Sequence, residues 1–179
     1  SVGGALTNAA LQFMGKVPVN LNYTASSAAL KSASDQCELK HVLTSTLFLE
    51  KLKSQRMAVD VPAEPIYLEE IRESITGKDR LVAMLMALLL PVKILERMLG
   101  APANRTPDDL CAIIFSSGSS GEPKGIQLTH FNVMSDIDAT LSAFPYTADE
   151  CVMGILPFFH SFGFTGTLWL PLTNAIRAS

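Results

Sequence analysis

The stretch that decides the fold lies between residues 111 and 130, where the sequence reads CAIIFSSGSSGEPKGIQLTH. Its first five residues form a continuous apolar run, which is typical of a strand buried on both faces. Hydroxyl side chains, three glycines and one lysine follow at once. Glycines let the backbone approach a ligand closely, so successive amide groups can converge on phosphate oxygens, and a lysine adds a mobile positive charge. The stretch therefore predicts a buried strand followed by a phosphate-binding loop.

Two other interpretations of this loop, a P-loop NTPase motif and a flexible linker, fit its residues less well than the strand and phosphate-binding loop described above. Gly118 and Gly121 are three residues apart and Lys124 is followed by Gly125, so the order is not that of a P-loop NTPase. The hexamer Ser-Ser-Gly-Ser-Ser-Gly alone would be typical of a flexible linker. Here it lies between an apolar strand and an Ile-Gln-Leu-Thr-His run, deep within the chain, which disfavours a linker.

Strands and helices alternate on both sides of the loop. Alternating or β-branched runs predict strands at 16–22, 41–45, 65–68, 111–115, 126–128 and 152–156. Apolar residues at helical spacing predict helices at 5–14, 28–36, 46–55 and 130–144, and a helix at 162–176 interrupted by Pro171. Ser26 or Ser27 is a candidate N-cap for the second helix, and Thr129 for the fourth. This alternation predicts an α/β fold with a largely parallel sheet.

Composition narrows the class of protein. The chain has 179 residues, of which 48% are hydrophobic and only 17% charged, with a formal net charge of −3. That length and apolar content suit one packed domain, and the charge offers no field for a polyanion, so we expect no nucleic-acid partner. Cys37, Cys111 and Cys151 lie far apart, and we expect all three to be small buried residues of a reduced protein. The first 15 residues lack a basic region ahead of an apolar stretch, so we expect no signal peptide and a cytoplasmic location.

Residues 81–90 stand apart because all ten are uncharged and nearly all are large and apolar. A membrane-spanning helix needs about 20 such residues, so this run is too short to cross a bilayer. Two alternatives remain. It is a helix buried in the core, or it is an interfacial helix that presents an apolar surface to lipid.

The loop resembles the signature loop of a known family. Ser116 to Gly125 match, without a departure, the pattern [ST]-[ST]-G-[ST]-[ST]-G-x-P-K-G of the adenylate-forming superfamily, which includes acyl-CoA synthetases, peptide-synthetase adenylation domains and luciferases. The resemblance implies the large N-terminal domain of that fold, ATP and magnesium as cofactors, and formation of an acyl-adenylate. It also implies that the loop binds the nucleotide through Ser116, Ser117, Gly118, Ser119, Ser120, Gly121 and Lys124.

A second match supports this resemblance. Residues 156–163 read LPFFHSFG and are similar to the P-x-F-H-x-x-G segment that lines the acyl and adenylate pocket of the superfamily. Alone, a histidine among four phenylalanines is more often a packing residue. The position of this segment behind the loop implies instead that His160 is a catalytic-site residue that orients the carboxylate or adenylate. We expect His130 to cap or pack the following helix, and His41 has no chemical context.

A narrower resemblance covers most of the chain. The runs GKVPVNLNYT at 15–24 and FFHSFGFTGTLW at 158–169 resemble bacterial acyl-acyl carrier protein synthetases, the activating halves of 2-acylglycerophosphoethanolamine acyltransferases. This implies a fatty acid substrate, acyl carrier protein or CoA as acceptor, coupling to lysophospholipid acylation, and work at the inner face of the bacterial inner membrane. It also fits the apolar run at 81–90.

The superfamily's downstream motifs are not found before Ser179. We therefore expect residues 1–179 to be one fragment of the N-terminal AMP-binding domain without its C-terminal subdomain. Such a fragment would be inactive alone and would expose apolar edges that favour self-association. Two alternatives stay open: an amino-acid or aryl-acid adenylation domain, and a non-catalytic fragment that only binds nucleotide or membrane.

Overall fold

The computed structural model describes residues 2–57, 60–117, 122–144, 146 and 150–178. The chain divides into two compact units. The first contains the described parts of Ser1–Lys16, Asn22–Ala103 and Gly118–Pro123. The second contains those of Val17–Leu21, Asn104–Ser117 and Lys124–Ser179.

The first unit holds six helices and two strands among its described residues. In chain order they are α1 Val2–Phe13, α2 Ser27–Gln36, β1 His41–Thr44, α3 Thr46–Ser54, β2 Glu64–Tyr67, α4 Leu68–Ser74, α5 Gly77–Leu89 and α6 Val92–Met98. Strands β1 and β2 are parallel, with His41 opposite Glu64 and Thr44 opposite Tyr67. Helix α3 connects them, as a parallel pair requires.

Hydroxyl caps set the starts of helices α2 and α3. The Ser26 hydroxyl accepts a hydrogen bond from the Ala29 amide at 3.3 Å, and the Ser45 hydroxyl accepts one from the Phe48 amide at 3.0 Å. These bonds satisfy amides that the first helical turn leaves without partners. The unit's buried apolar residues are Leu30, Ala33, Leu52 and Ala101, so α2 and α3 supply most of its core.

The second unit contains the strand that leads into the loop. Its elements are β3 Leu110–Ser117, β4 Pro123–Thr129, α7 His130–Ala143, β5 Cys151–Val152, a π-helix Gly163–Trp169, α8 Leu170–Asn174 and β6 Arg177–Ala178. Strands β3 and β4 pair, β5 and β6 form a parallel pair, and Val19 makes an isolated parallel bridge to Ile113. Helix α7 contacts both β3 and the π-helix, and α8 also contacts the π-helix. The buried apolar residues of this unit are Cys111, Ala112, Ile114, Val133, Ile137, Phe159, Phe164, Leu168 and Leu170.

The structure confirms the α/β class and the alternation of strands and helices. It differs from the expected sheet, because the described strands form three separate two-stranded sheets instead of one largely parallel sheet. The strand expected at 16–22 is only the single bridge at Val19, and the strand expected at 152–156 is the short β5. The helix expected at 162–176 is a π-helix continued by α8, with Pro171 in the first turn of α8.

The apolar run at 81–90 is helical but not buried. Neither α5 nor α6 contains a buried residue, and Leu88 and Leu89 are each 74% exposed. The expectation of a core helix is therefore wrong for this structure. Across the described residues, no helix combines the length and apolarity that a membrane crossing needs.

Candidate nucleotide and acyl site

Strand β3 leads directly into the predicted phosphate loop. Cys111, Ala112 and Ile114 are buried along it, as the apolar run predicted, and Ser116 near its end is exposed. Ser117 ends the strand. Gly118, Ser119, Ser120 and Gly121 lie outside the described residues, so their predicted part in nucleotide binding stays a prediction.

Strand β4 carries the other end of the loop. It begins at Pro123, and Lys124, its second residue, is exposed. A β-carbon at Gly125 would lie 3.1 Å from the Phe115 ring and 3.2 Å from the Ile113 side chain. That spacing is tighter than ordinary van der Waals contact, so glycine lets β4 pack closely against β3. The second unit thus presents an exposed hydroxyl at Ser116 and an exposed cation at Lys124.

Helix α7 starts where the sequence predicted. The Thr129 hydroxyl accepts a hydrogen bond from the Asn132 amide at 3.1 Å, and the Asn132 side chain accepts one from the Thr129 amide at 3.0 Å. These reciprocal bonds form a capping box and leave the next residue, His130, free to pack.

His130 packs against an arginine that no sequence pattern indicated. The Arg105 guanidinium Nη2 lies 3.1 Å from His130 Nε2, and the His130 amide donates to the Asp109 carbonyl at 3.1 Å. Burial lowers the pKa of His130, and the nearby Arg105 charge lowers it further, while Asp109 acts in the opposite direction. The neutral imidazole can then accept a hydrogen bond from Arg105. His130 therefore joins the 105–109 turn to the start of α7, which is a packing role.

His160 is held by its backbone and exposes its ring. Its amide donates to the Pro157 carbonyl at 3.0 Å, and its carbonyl accepts from the Phe164 amide at 2.8 Å. The imidazole is exposed and lies 5.4 Å, between ring centroids, from the buried Phe159. The two backbone hydrogen bonds fix the position of the His160 main chain. The exposed imidazole is accessible to a ligand.

Gly163 fixes the turn that presents His160. A methyl group at Gly163 would overlap the Pro157 carbonyl oxygen, and it would lie 3.0 Å from the Leu156 carbonyl oxygen. Only glycine fits so close to the backbone here. The Gly163 carbonyl accepts a hydrogen bond from the Thr167 hydroxyl at 2.6 Å within the π-helix. The H-x-x-G spacing of the sequence therefore has a steric cause in this turn.

A cavity of about 330 Å³ lies beside this segment in the second unit. Helix α7, strand β5 and the π-helix line it with Asp136, Cys151, Phe162 and Thr165, among others. The aromatic cluster expected to line an acyl pocket is divided, because Phe159 and Phe164 are core residues whereas Phe162 is 67% exposed and faces the cavity. Among the described lining residues His160 is not included, although Phe162 follows it by two positions.

The three cysteines differ in burial more than the sequence predicted. Cys111 is buried, and desolvation raises the pKa of its thiol to about 11, while the Arg105 charge acts in the opposite direction. Cys37 is half-buried and desolvation raises its pKa also. Cys151 is exposed, so the expectation that all three are buried is wrong at this position.

His41 also has a partner that the sequence did not indicate. Its Nδ1 lies 3.3 Å from Glu64 Oε2, because the parallel register of β1 and β2 places the two residues opposite each other. Both side chains are largely exposed, so this pair adds little to stability.

The comparison with known proteins decides the family. Residues 5–178 match the family described as AMP-binding enzyme. The chain belongs to the AMP-binding enzyme family. Its phosphate-loop pattern and its LPFFHSFG segment both lie within the matched residues.

Individual relatives in this family are longer than the chain. It is 28% identical over 161 residues to 4-coumarate--CoA ligase-like 1 of Arabidopsis thaliana, covering 86% of this chain and 26% of that protein. It is 41% identical over 58 residues to Fatty acyl-CoA synthetase A of Dictyostelium discoideum, covering 32% of this chain and 9% of that protein. The matched segments thus span about a quarter, or less, of the length of these relatives.

A solved structure shares the fold. The chain is similar, with a TM-score of 0.72 and 17% identity, to o-succinylbenzoate CoA synthetase of Bacillus subtilis in complex with an acyl-adenylate intermediate. The match covers 99% of this chain and 40% of that one. The expected fold, the N-terminal domain of adenylate-forming enzymes, is therefore confirmed.

Proposed function

We propose that the protein activates a carboxylic acid with ATP as an AMP-forming ligase. The observation that carries this proposal is the uninterrupted ten-residue pattern at 116–125, which follows the buried strand β3 in a chain of the AMP-binding enzyme family. In the first step the substrate carboxylate attacks the α-phosphorus of ATP, forming an acyl-adenylate and releasing pyrophosphate. In the second step a thiol attacks the acyl carbon and AMP leaves.

The phosphate loop supplies the nucleotide contacts in this proposal. Backbone amides and hydroxyls bind the phosphate oxygens, and Lys124 stabilises the negative charge that grows on the departing pyrophosphate. The exposed Ser116 and Lys124, at the two ends of the loop, fit this chemistry. The full proposed set is Ser116, Ser117, Gly118, Ser119, Ser120, Gly121 and Lys124.

His160 is proposed to orient the carboxylate or the adenylate. Its accessible imidazole and fixed backbone suit positioning, which contributes to catalysis by holding the reacting atoms in line. The adjacent cavity, with Phe162 at its wall, is large enough to take part of an acyl chain.

Magnesium is proposed to bind as the ATP complex. Within the described residues, no group of three or more histidine, cysteine, aspartate or glutamate side chains is placed to hold a metal ion. Magnesium keeps several waters and commonly binds through nucleotide phosphates, so the loop would receive it together with ATP. It would neutralise phosphate charge during the transfer.

A fatty acid is the proposed substrate, with CoA or acyl carrier protein as the thiol acceptor. The name of the Dictyostelium relative supports an acyl chain. The apolar wall of the cavity, which includes Val152, Met153 and Leu170, supports it independently. Transfer onward to a lysophospholipid is proposed from the narrower resemblance to acyl-acyl carrier protein synthetases.

An aryl acid is the second candidate substrate. The Arabidopsis relative, which matches 86% of the chain, is named as 4-coumarate--CoA ligase-like. A phenylpropanoid ring is flat and short, whereas a fatty acid is long and flexible. A panel of palmitate, 4-coumarate and aromatic amino acids in a pyrophosphate-release assay with the full-length protein distinguishes them.

The Lys124→Ala variant tests the proposed activity. A charge-assisted contact to phosphate is typically worth about 1.5–3 kcal/mol, so acid-dependent ATP–pyrophosphate exchange should fall by roughly tenfold or more. The full-length protein is assayed, and circular dichroism checks that the variant stays folded. Lys53→Ala, another exposed lysine, is the matched control and should leave exchange unchanged. Equal exchange by Lys124→Ala and the unmodified protein would contradict the assignment.

A further inference from the structure

The C-terminal end of helix α2 contacts the strand that carries Lys124. The side-chain amide of Gln36, the last residue of α2, donates a hydrogen bond to the Pro123 carbonyl at 3.0 Å, across 87 positions of the sequence. Pro123 begins β4 and Lys124 follows it. Gln36 and Pro123 both belong to the first unit. The residue immediately before the lysine of the loop is therefore held by a side chain to which no sequence pattern gave a function.

We propose that Gln36 is a positioning residue that fixes the main chain of Lys124 through the Pro123 carbonyl. This inference rests on the proposed ligase activity, in which Lys124 stabilises the departing pyrophosphate. A peptide unit is planar, so the hydrogen bond that orients the Pro123 carbonyl also orients the Lys124 amide and α-carbon. The pyrrolidine ring fixes φ of Pro123, and the hydrogen bond from Gln36 restricts its ψ. Both backbone rotations that precede Lys124 are thereby limited.

The Gln36 side chain is itself oriented by its own helix. Its amide nitrogen also donates to the Ser32 hydroxyl, one turn earlier on α2, at 3.1 Å. The Pro123 carbonyl can only accept a hydrogen bond, so the nitrogen of the Gln36 amide, and not its oxygen, must face it. The two hydrogens of the amide thus have two separate acceptors, and this pair of bonds favours one orientation of the side chain.

Helix α2 is well anchored where it makes this contact. Its C-terminal end is closed by a hydrogen bond from the Leu39 amide to the Ser34 carbonyl at 3.0 Å. Glu38, with φ 50°, takes the left-handed conformation that commonly ends a helix in this way. The helix also buries three residues, Leu30, Ala33 and Ser34. Because the helix is fixed by its core and by its closed end, Gln36 can hold Pro123 in a defined position.

The residue after Lys124 is fixed as well. Gly125 packs against the Phe115 side chain of β3 more closely than a β-carbon would ordinarily allow. Lys124 thus lies between two held residues, while its own side chain is exposed. A lysine side chain has several rotatable bonds and loses entropy when a ligand orders it. A fixed main chain confines that loss to the side chain, so the ammonium group is easier to place against a phosphate.

The Gln36→Leu variant of the full-length protein tests the proposal. Leucine is of similar size and removes the hydrogen-bond donor. One hydrogen bond of this kind is worth about threefold to tenfold, so kcat/KM for ATP in ATP–pyrophosphate exchange should fall by that factor. KM for the acid that supports faster exchange, palmitate or 4-coumarate, should not change, because Lys124 acts on the phosphates. Gln55→Leu, at an exposed glutamine that ends α3, is the matched control and should change neither constant.

Two further measurements separate positioning from a general effect on folding. In a double-mutant cycle, Gln36→Leu should have less than about a twofold effect on pyrophosphate exchange when Lys124→Ala is already present, because the two residues act through one contact. Amide hydrogen exchange gives a readout that does not depend on activity. A peptide covering residues 122–128 should exchange its amide hydrogens faster in Gln36→Leu than in Gln55→Leu, since the start of β4 loses an anchor.

Two outcomes would overturn the positioning proposal. One is an unchanged kcat/KM for ATP in Gln36→Leu. The other is an equal loss with and without Lys124→Ala, which would mean that Gln36 acts on the fold and not through Lys124. If Gln36→Leu does not fold, Gln36→Asn, whose amide is one methylene too short to reach Pro123, replaces it. If the unmodified protein shows no pyrophosphate exchange with any acid of the panel, the ligase proposal fails, and amide hydrogen exchange then decides whether Gln36 anchors β4.

Discussion

Helices α5 and α7 begin alike and end up in opposite environments. They have 13 and 14 residues, and each starts with a capping box, formed by Thr76 with Asp79 and by Thr129 with Asn132. Yet α7 buries Val133 and Ile137, whereas α5 buries no residue. The caps are local hydrogen bonds and decide where a helix starts. Burial depends on which other elements pack against the helix. The extent of burial in turn decides how much each apolar side chain contributes to stability.

The largest expected difference between the two helices is in their apolar side chains. Ile137→Ala empties a fully buried position on α7 and should lower the free energy of unfolding by about 2–5 kcal/mol. Leu88→Ala on α5 changes a side chain that is already exposed to solvent and should stay within about 0.5 kcal/mol. Urea unfolding followed by circular dichroism measures both. Similar losses for the two variants would mean that α5 is covered in solution.

A smaller difference is expected between two glycines. Gly163→Ala places a methyl group against the Pro157 carbonyl, and such overpacking costs about 1–3 kcal/mol. Gly77, the first residue of α5, has no atom within 4 Å of an added β-carbon. Gly77→Ala should therefore raise stability by about 0.4–1 kcal/mol, because alanine restricts the unfolded chain. Thermal unfolding of the two variants gives the signs, and a stabilising Gly163→Ala would mean that the turn before the π-helix is loosely packed.

The smallest expected difference is in the response to pH. Burial and Arg105 hold the pKa of His130 below its ordinary 6.5, so the unfolded chain takes up the proton first and α7 loses stability as pH falls below about 6.5. Hydrogen bonds from Thr76 hold the pKa of Asp79 below its ordinary 3.8, so the start of α5 loses stability only below that pH. Unfolding midpoints at about pH 7.5 and 5.5 should therefore differ less in His130→Gln than in the unmodified protein. An identical pH response in that variant would exclude His130 as the source.

Local signals account for what could be predicted from the sequence. The apolar run before Ser116 predicted β3, and Thr129 predicted the start of α7, because a strand's apolarity and a cap's hydroxyl act within a few residues. The ten-residue loop pattern predicted the family for the same reason, since it is contiguous.

Contacts between distant residues account for what the sequence could not show. Arg105 meets His130 across 25 positions, and His41 meets Glu64 across a parallel register, so neither pair has a sequence pattern. The exposure of Cys151 likewise depends on which elements surround β5. The π-helix was missed because its apolar spacing over Gly163–Trp169 is indistinguishable from that of an α-helix.

The π-helix gives the segment Gly163–Trp169 room to change in length. A π-helical turn closes its hydrogen bond from i to i+5, so it holds one residue more than an α-helical turn. Deleting one residue between Gly163 and Trp169 would let an α-helical turn replace the wider π-helical turn, so the residues after it would keep nearly the same faces. Leu170, now almost fully buried, would then stay in the core. One residue can therefore be lost from this segment without moving the core side chains that follow it.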